Sequence, residues 1–153
     1  MPQYNDGYRR KNGVNLMYYK DIRVWVPDEE ILGIKFLKHE KFYVHQFKRL
    51  PYIIAGEVSG SKELVGFGAD GKIYILELEN NIVRYAASAL AVFARELKKY
   101  RDLPEENASD NAEEPLNSNE RFVEEIKKLD EDAFSSEDNF WALIVEQMND
   151  GLL

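Results

Sequence analysis

The spacing of apolar side chains changes period once along the chain, near residue 88. Before this point, short runs rich in aromatic and β-branched residues are separated by turn-forming residues, a pattern typical of strands. The pattern predicts strands at 22–27, 42–47, 51–58, 63–68, 72–78 and 82–87. Short turns join the last four, so the middle of the chain is expected to form an antiparallel meander of about four strands.

After residue 88, apolar residues recur every three or four positions, which predicts three amphipathic helices. The first apolar stripe runs from Leu90 to Tyr100, with Ser88 expected as the N-cap. The other two stripes lie at 122–129 and 140–148. Helices of this kind can cover one face of a sheet, because only one side of each is apolar.

The chain is expected to form a single domain over 1–153. Its 153 residues, 44% of them apolar, are enough for one hydrophobic core. Residues 1–20 are predicted to be a polar tail, and 104–120, charged and without apolar periodicity, an acidic mobile loop between helices. The chain has no cysteine, no signal-like apolar run and no apolar stretch of membrane-helix length, which indicates a cytoplasmic protein without a membrane partner.

The negative charge is concentrated in the last third of the chain. The formal net charge is −8, and residues 104–153 contain 15 acidic side chains against 3 basic ones. Such a field repels nucleic acid and attracts a basic partner. An acidic surface that is merely well solvated explains the same composition, and both interpretations stay open at this point.

Residues 66–71 read GFGADG and match the Gly-x-Gly-x-x-Gly pattern of phosphate-binding loops. A dinucleotide site requires a helix after the third glycine, whereas the strand-like KIYILELE follows here. A kinase glycine loop would need later catalytic motifs that the sequence lacks, and a calcium loop would need side-chain oxygens where Gly66 and Gly68 stand. Because Asp70-Gly71 is a strong turn signal, the sequence predicts a plain hairpin and no cofactor.

Few residues are candidates for metal or partner binding by type alone. His39 and His45 are the two histidines, and in an extended segment they would lie about 20 Å apart, too far to share a metal ion. No metal site is therefore predicted. Trp25 and Trp141 are expected in the core rather than at a partner surface.

Acidic residues cluster around the predicted hairpins, at Glu57, Glu63, Asp70, Glu77 and Glu79. Two carboxylates can act as an acid and base pair, but no nucleophile, base and orienting group can be assembled from this sequence. The face shared by Glu77, Glu79 and the isoleucines before them indicates a strand leaving the core. The residues therefore indicate a protein that is not an enzyme.

The order of these elements resembles the SUKH superfamily of bacterial immunity proteins, and most closely its fourth subgroup. The resemblance is carried by YIIAGEVSGSKELVGFGADGKIYILELENNIVRYAASALAVFAREL and by LDEDAFSSEDNFWALIVEQMNDGLL. Members are similar in having a strand that ends in Gly and an acidic residue, a hairpin around Asp-Gly, a further strand and a Ser-x-Leu-x-x-Phe helix start. The residues that match the later motifs are Ser88, Leu90, Phe93, Leu129, Asp130, Phe140 and Trp141.

The resemblance implies an α+β fold with a twisted, mainly antiparallel sheet of about five or six strands, flanked by C-terminal helices. It also implies a protein that neutralises a cognate polymorphic toxin, a nuclease or deaminase domain, by stoichiometric binding. The partner would be a basic protein domain rather than a nucleic acid, because complementary charge favours association. The expected contact residues are Glu57, Glu63, Asp70, Glu77, Glu79, Glu113 and Glu114.

Two other functions remain compatible with the sequence. The first is an intracellular scaffold or regulatory module without a toxin partner, which a toxin gene beside this one would argue against. The second is a hydrolase that uses the hairpin carboxylates, which turnover abolished by Glu77→Gln would support. The sequence indicates no oligomeric state.

Overall fold

The computed structural model describes residues 10–11, 14–15, 24–103 and 118–153, the first two pairs by their backbone alone. The strands are β1 (Arg10–Lys11), β2 (Val14–Asn15), β3 (Ile34–Phe36), β4 (Tyr43–Phe47), β5 (Leu50–Val58), β6 (Glu63–Phe67), β7 (Ile73–Glu77) and β8 (Ile82–Ala87). The helices are α1 (Leu90–Arg101), α2 (Ser118–Leu129) and α3 (Phe140–Asn149), and a short 3-10 helix spans His39–Lys41.

Strands β3 to β8 form one antiparallel sheet, whereas β1 and β2 form a separate two-stranded ribbon. The sheet has the order β3-β5-β6-β7-β8, and β4 also pairs with β5. Strands β3 and β4 share one side of β5, because β3 pairs with Gly56–Val58 and β4 with Leu50–Ile54. The α+β fold implied by the resemblance is confirmed, with six strands followed by three helices in the described chain.

The three helices cover one face of the sheet, which we call the helix face. Alternate residues of the central strands, among them Ile53, Val65 and Ile75, point into the core that the helices close. Trp141 of α3 lies at its centre, fully buried, with its ring 5.4 Å from the ring of Phe122. Large aromatic side chains contribute strongly to such a core, because each removes much apolar area from water.

A β-bulge in β5 changes which side chains face the helices. The pairing of β5 with β6 shifts by one residue between Ile54 and Gly56, so Ala55 has no direct partner on β6. Glu57 consequently lies opposite Leu64, on the face away from the helices. Regular alternation from Ile53 would have placed Glu57 on the helix face.

Most of the predicted elements are confirmed. The five strands predicted between 42 and 87 are present, and the two hairpin turns have positive φ at Gly71 and Asn81, as tight turns require. The strand predicted at 22–27 is wrong for the described residues 24–27, which have no regular structure. Ser88 does not cap α1, since Ala89 occupies that position without a side-chain hydrogen bond.

The predicted polar tail and acidic loop lie mostly outside the described residues, although β1 and β2 fall within 1–20 and α2 begins at Ser118. That domain organisation stays a prediction. No helix in the described part of the chain is long and apolar enough to cross a bilayer.

Candidate partner-binding surface

The side of the sheet opposite the helices has a different character, and we call it the tyrosine face. Its buried centre is small and consists of Phe47, Tyr52, Ile54, Leu64 and Leu76. Around this centre lie partly exposed tyrosines, of which Tyr43 and Tyr74 point to the same side because of their register with Ile54 and Gly66. Tyrosine is enriched at protein interfaces, because one end is apolar and the other is polar.

The glycines of the GFGADG segment make room for a row of tyrosine rings, which begins with Tyr52 on β5 and Tyr74 on β7 and which we call the tyrosine row. Gly66 lies between Ile54 and Tyr74 across β6, and a Cβ there would come within 3.1–3.3 Å of Ile54 and of the Tyr52 Cβ. A Cβ at Gly68 would lie 2.9 Å from the Tyr74 ring. The rings of Tyr52 and Tyr74 meet edge to face with centroids 6.1 Å apart. The glycine pattern therefore serves side-chain packing across a strand, on a hairpin that the structure confirms.

Two tyrosines of this face donate hydrogen bonds to exposed carboxylates. Tyr43 Oη donates to Glu57 Oε2 at 3.1 Å, and Tyr74 Oη donates to Asp70 Oδ2 at 2.6 Å. Burial and the neighbouring carboxylate raise the pKa of Tyr43 to about 12 and also raise the pKa of Tyr74. The hydroxyls therefore stay protonated, and both carboxylates are held in fixed positions while their charge remains at the surface.

Strand β8 continues the row through Tyr85. Its ring lies 6.1 Å from that of Tyr74, and its hydroxyl donates to Asp130 Oδ2 at 2.6 Å. Asp130 is buried and also accepts the backbone N–H of Asp132, so it ties the segment between α2 and α3 to the edge of the sheet. This third pair is structural, because its carboxylate is enclosed.

A groove of about 310 Å³ opens beside Tyr52 and Tyr74. Its walls are residues 50–52 at the start of β5 and residues 68–70 of the β6–β7 turn, together with Tyr74. Leu50 is 57% exposed at the rim, and Asp70 brings its carboxylate to the other side. The groove thus combines apolar and aromatic walls with one negative charge.

The other predicted contact residues lie elsewhere. Glu63 and Glu77 are directly opposite each other at the far end of β6 and β7, on the helix face. Four strand steps, about 13 Å, separate this end from the turn that carries Asp70. Glu79 is exposed in the β7–β8 turn. Glu113 and Glu114 lie outside the described residues, so the structure brings no single patch together from the predicted set.

The pKa values of Glu63 and Glu77 are shifted in opposite directions, because the two carboxyl groups have different neighbours. Burial and the charge of Glu77 raise the pKa of Glu63. Burial raises the pKa of Glu77 too, but hydrogen bonds from Arg84 and Asn80 outweigh it and leave that pKa below its ordinary value. Arg84 also donates to the backbone oxygen of Asp138 at 3.0 Å. Since each carboxyl oxygen of Glu77 accepts a hydrogen bond from the chain itself, Glu77 is engaged in structure rather than poised as a base.

One buried acid was not anticipated from the sequence. Glu96 of α1 is fully buried, and its Oε1 accepts a hydrogen bond from Trp141 Nε1 at 2.9 Å. Burial raises the pKa of Glu96 to about 8, against the effect of the Trp141 bond, and the nearby charge of Asp130 adds to the rise. The sequence does contain a signal for this burial. Glu96 follows Phe93 by three residues and so lies on the apolar stripe of α1.

The tryptophans and histidines give mixed outcomes. Trp141 is buried as expected, but Trp25 is 56% exposed, so its predicted core position is wrong. His39 lies in the 3-10 helix and His45 on β4. Within the described residues, no three His, Cys, Asp or Glu side chains are grouped so that they could hold a metal ion.

Comparison with known proteins places the chain in a family. No curated protein and no solved structure shows a significant match. The family model described as "SUKH-4 immunity protein" matches residues 34–147, which include β3 to β8 and nearly all of the helical part. Membership implies a toxin-neutralising immunity role and the binding of a cognate toxin protein. Since the match covers 114 of the 153 residues, the chain belongs to the SUKH-4 immunity protein family.

Proposed function

We propose that this protein neutralises a cognate polymorphic toxin, a nuclease or deaminase domain, by forming a stoichiometric complex without catalysing a reaction. The observation that carries the mode of action is the pair of surface tyrosines bonded to exposed carboxylates on the tyrosine face. Toxin domains that act on nucleic acid need basic surfaces, because they contact phosphates. A surface of fixed carboxylates and aromatic rings complements such a partner in charge and in apolar area.

Glu57 and Asp70 are the proposed central contacts. Both are exposed, and each is held by a tyrosine, so little conformational entropy is lost when a partner binds. Glu79, exposed in the next turn, is proposed at the margin, and Glu113 and Glu114 remain proposed contacts from the acidic loop.

Glu63 and Glu77 were expected as contacts too, but their surroundings favour a structural role. Arg84 already balances the charge of Glu77, so a basic partner would have to compete with Arg84. Glu63 is partly buried directly opposite Glu77. This difference supplies a matched control for the contacts at Glu57 and Asp70.

The test begins with the partner itself. The tagged full chain is used to capture its partner from the source bacterium, and the captured toxin domain is then expressed with and without the chain in a second bacterial host. We expect growth arrest by the toxin alone, normal growth with the chain, and a 1:1 complex by native mass spectrometry. Persistent growth arrest despite expression of the folded chain would contradict the proposal.

Two double variants then test the contact surface. Glu57→Gln with Asp70→Asn is expected to weaken the complex by about a hundredfold and to reduce its salt dependence, because charged pairs at an interface contribute strongly. Glu63→Gln with Glu77→Gln is expected to lower the free energy of unfolding while affinity stays within about twofold. The reverse pattern would move the contact surface from the tyrosine face to Glu63 and Glu77 on the helix face.

A further inference from the structure

The groove beside Tyr52 and Tyr74 has a size that suits one side chain. At about 310 Å³ it lies at the small end of ligand pockets, which range over roughly 300–1,000 Å³. Leu50 extends the apolar wall outward and is more than half exposed. A partner that inserted a side chain here would therefore cover Leu50 as well, which a small free ligand would not require.

Asp70 keeps hydrogen-bonding capacity that the chain does not use. Its Oδ1 accepts the backbone N–H of Lys72 at 3.0 Å, and its Oδ2 accepts the Tyr74 hydroxyl at 2.6 Å. A carboxylate has about four acceptor positions, so roughly one on each oxygen is left for a donor. The pKa of Tyr52 is raised by burial and by the charge of Asp70, which indicates that the negative potential reaches the opposite wall.

The tyrosine row already contacts one cation, supplied by the chain itself. Lys72 places its Nζ 6.0 Å from the centroid of the Tyr85 ring, at about the outer limit of a cation–π contact. Tyr85 is the neighbour of Tyr74 in the row, with ring centroids 6.1 Å apart. The ring next to Tyr74, although it is not a wall of the groove, therefore already lies beside a positive charge.

We propose that this groove binds an arginine side chain of the partner protein, with Asp70 accepting its guanidinium N–H groups and the ring of Tyr74, packed edge to face against the buried Tyr52, contacting its planar face. This inference rests on the proposed function for the identity of the partner. Arginine fits better than lysine, because a planar guanidinium can stack on a ring and donate two parallel hydrogen bonds to one carboxylate. The site would act as an anchor, since arginine and tyrosine are enriched among the residues that dominate binding energy.

The groove can be tested without the toxin. The 15N-labelled full chain is titrated with N-acetyl-arginine amide, and with N-acetyl-citrulline amide as an uncharged probe of nearly the same shape. We expect saturating shifts of the amide signals of residues 50–52 and 68–74 at millimolar arginine probe, with binding of the citrulline probe about tenfold weaker. Equal binding of the two probes, or shifts confined to other residues, would overturn the assignment.

Two variants locate the charge. Asp70→Asn is expected to weaken binding of the arginine probe about tenfold, because it removes the negative charge and keeps the acceptor for the Lys72 N–H. Glu57→Gln is the matched control, since it alters the other tyrosine-bonded carboxylate of the same face and should leave the binding unchanged. Unchanged binding by Asp70→Asn, with an otherwise native spectrum, would overturn the inference.

Probe binding and protection of cells, measured for the wild-type chain and for the same variants, separate this inference from the proposed function. If the wild-type chain protects cells but does not bind the arginine probe, the groove assignment fails and the proposed function stands. If it binds the probe in the groove but gives no protection, the proposed function fails, and the assignment of the arginine to a toxin fails with it. Loss of both probe binding and protection in Asp70→Asn, with probe binding retained in Glu57→Gln, supports the full inference.

Discussion

Each face of the sheet has a carboxyl group that accepts a hydrogen bond from an aromatic side chain, but one of these pairs is buried and the other is exposed. On the helix face, Glu96 accepts a hydrogen bond from Trp141 where both side chains are fully buried. On the tyrosine face, Asp70 accepts one from Tyr74 and remains exposed. An aromatic donor holds a carboxyl group in both places, but only the exposed one can carry a charge at little cost. Burial thus decides whether such a pair affects stability or is available to a partner.

Deleting the aromatic donor should have its largest effect at the buried pair. Trp141→Phe removes the N–H and part of the indole, and it leaves Glu96 without the donor to its Oε1. We expect a loss of about 2–4 kcal/mol in the free energy of unfolding, measured by urea denaturation at pH 7. A loss below about 1 kcal/mol would show that the buried pair does not differ from the exposed one.

Glu96 should also make stability depend on pH. Its pKa of about 8 in the folded chain lies above the ordinary value of 4.5, so folding favours the protonated form. This contribution is fully present below about pH 4.5 and is lost as pH rises through about 8, which amounts to up to ~3 kcal/mol between pH 5 and pH 8. Glu96→Gln should remove that slope and be more stable than the wild type at pH 8. The free energy of unfolding is measured by urea denaturation at several pH values. If it changed with pH in parallel for the two proteins, the raised pKa assigned to Glu96 would be contradicted.

A smaller effect is expected where the tyrosine row crosses β6. Gly66→Ala would bring a Cβ to within 3.1–3.3 Å of Ile54 and Tyr52, which forces these side chains apart. We expect destabilisation of about 1–2 kcal/mol and altered near-ultraviolet circular dichroism of the tyrosines. Ser59→Ala, in the exposed β5–β6 turn, is the control and should change stability by less than ~0.5 kcal/mol. An unperturbed Gly66→Ala protein would show that the rings do not depend on the glycine.

The smallest loss of stability is expected at the exposed pair of Tyr74 and Asp70. Tyr74→Phe deletes the donor of the exposed pair, just as Trp141→Phe deletes the buried one. Because water can replace the lost hydrogen bond at Asp70, we expect a change of no more than ~1 kcal/mol by the same urea denaturation. A loss as large as that of Trp141→Phe would mean that both faces serve stability alike.

Local patterns were enough to predict the meander and the helices. The turn at Asp70-Gly71 and the apolar stripe of α1 depend on residues close in sequence, so their physics is visible in one short window. The strand predicted at 22–27 is absent from its described residues 24–27, because β-propensity describes a residue that fits a sheet and does not guarantee a neighbouring strand.

The surface could not be predicted in the same way. The bulge at Ala55 decides that Glu57 joins the tyrosine face, and a one-residue shift of register leaves little trace in composition. The division between Asp70 and Glu77 depends on which end of a hairpin each occupies, and on Arg84 reaching Glu77 from the next strand. Sequence proximity had suggested one acidic patch, whereas the sheet places these charges at opposite ends and on opposite faces.

The shared pairing of β3 and β4 with β5 has a consequence for solubility. Strand β5 is nine residues long, and a partner strand of equal length would have offered nine residues of edge to another chain. Instead, this side is divided between a three-residue and a five-residue strand with the 3-10 helix between them. Short, interrupted edges are poor templates for intermolecular strand addition. The arrangement should therefore disfavour assembly of the protein through this edge of its sheet, even when the protein is in excess over its toxin.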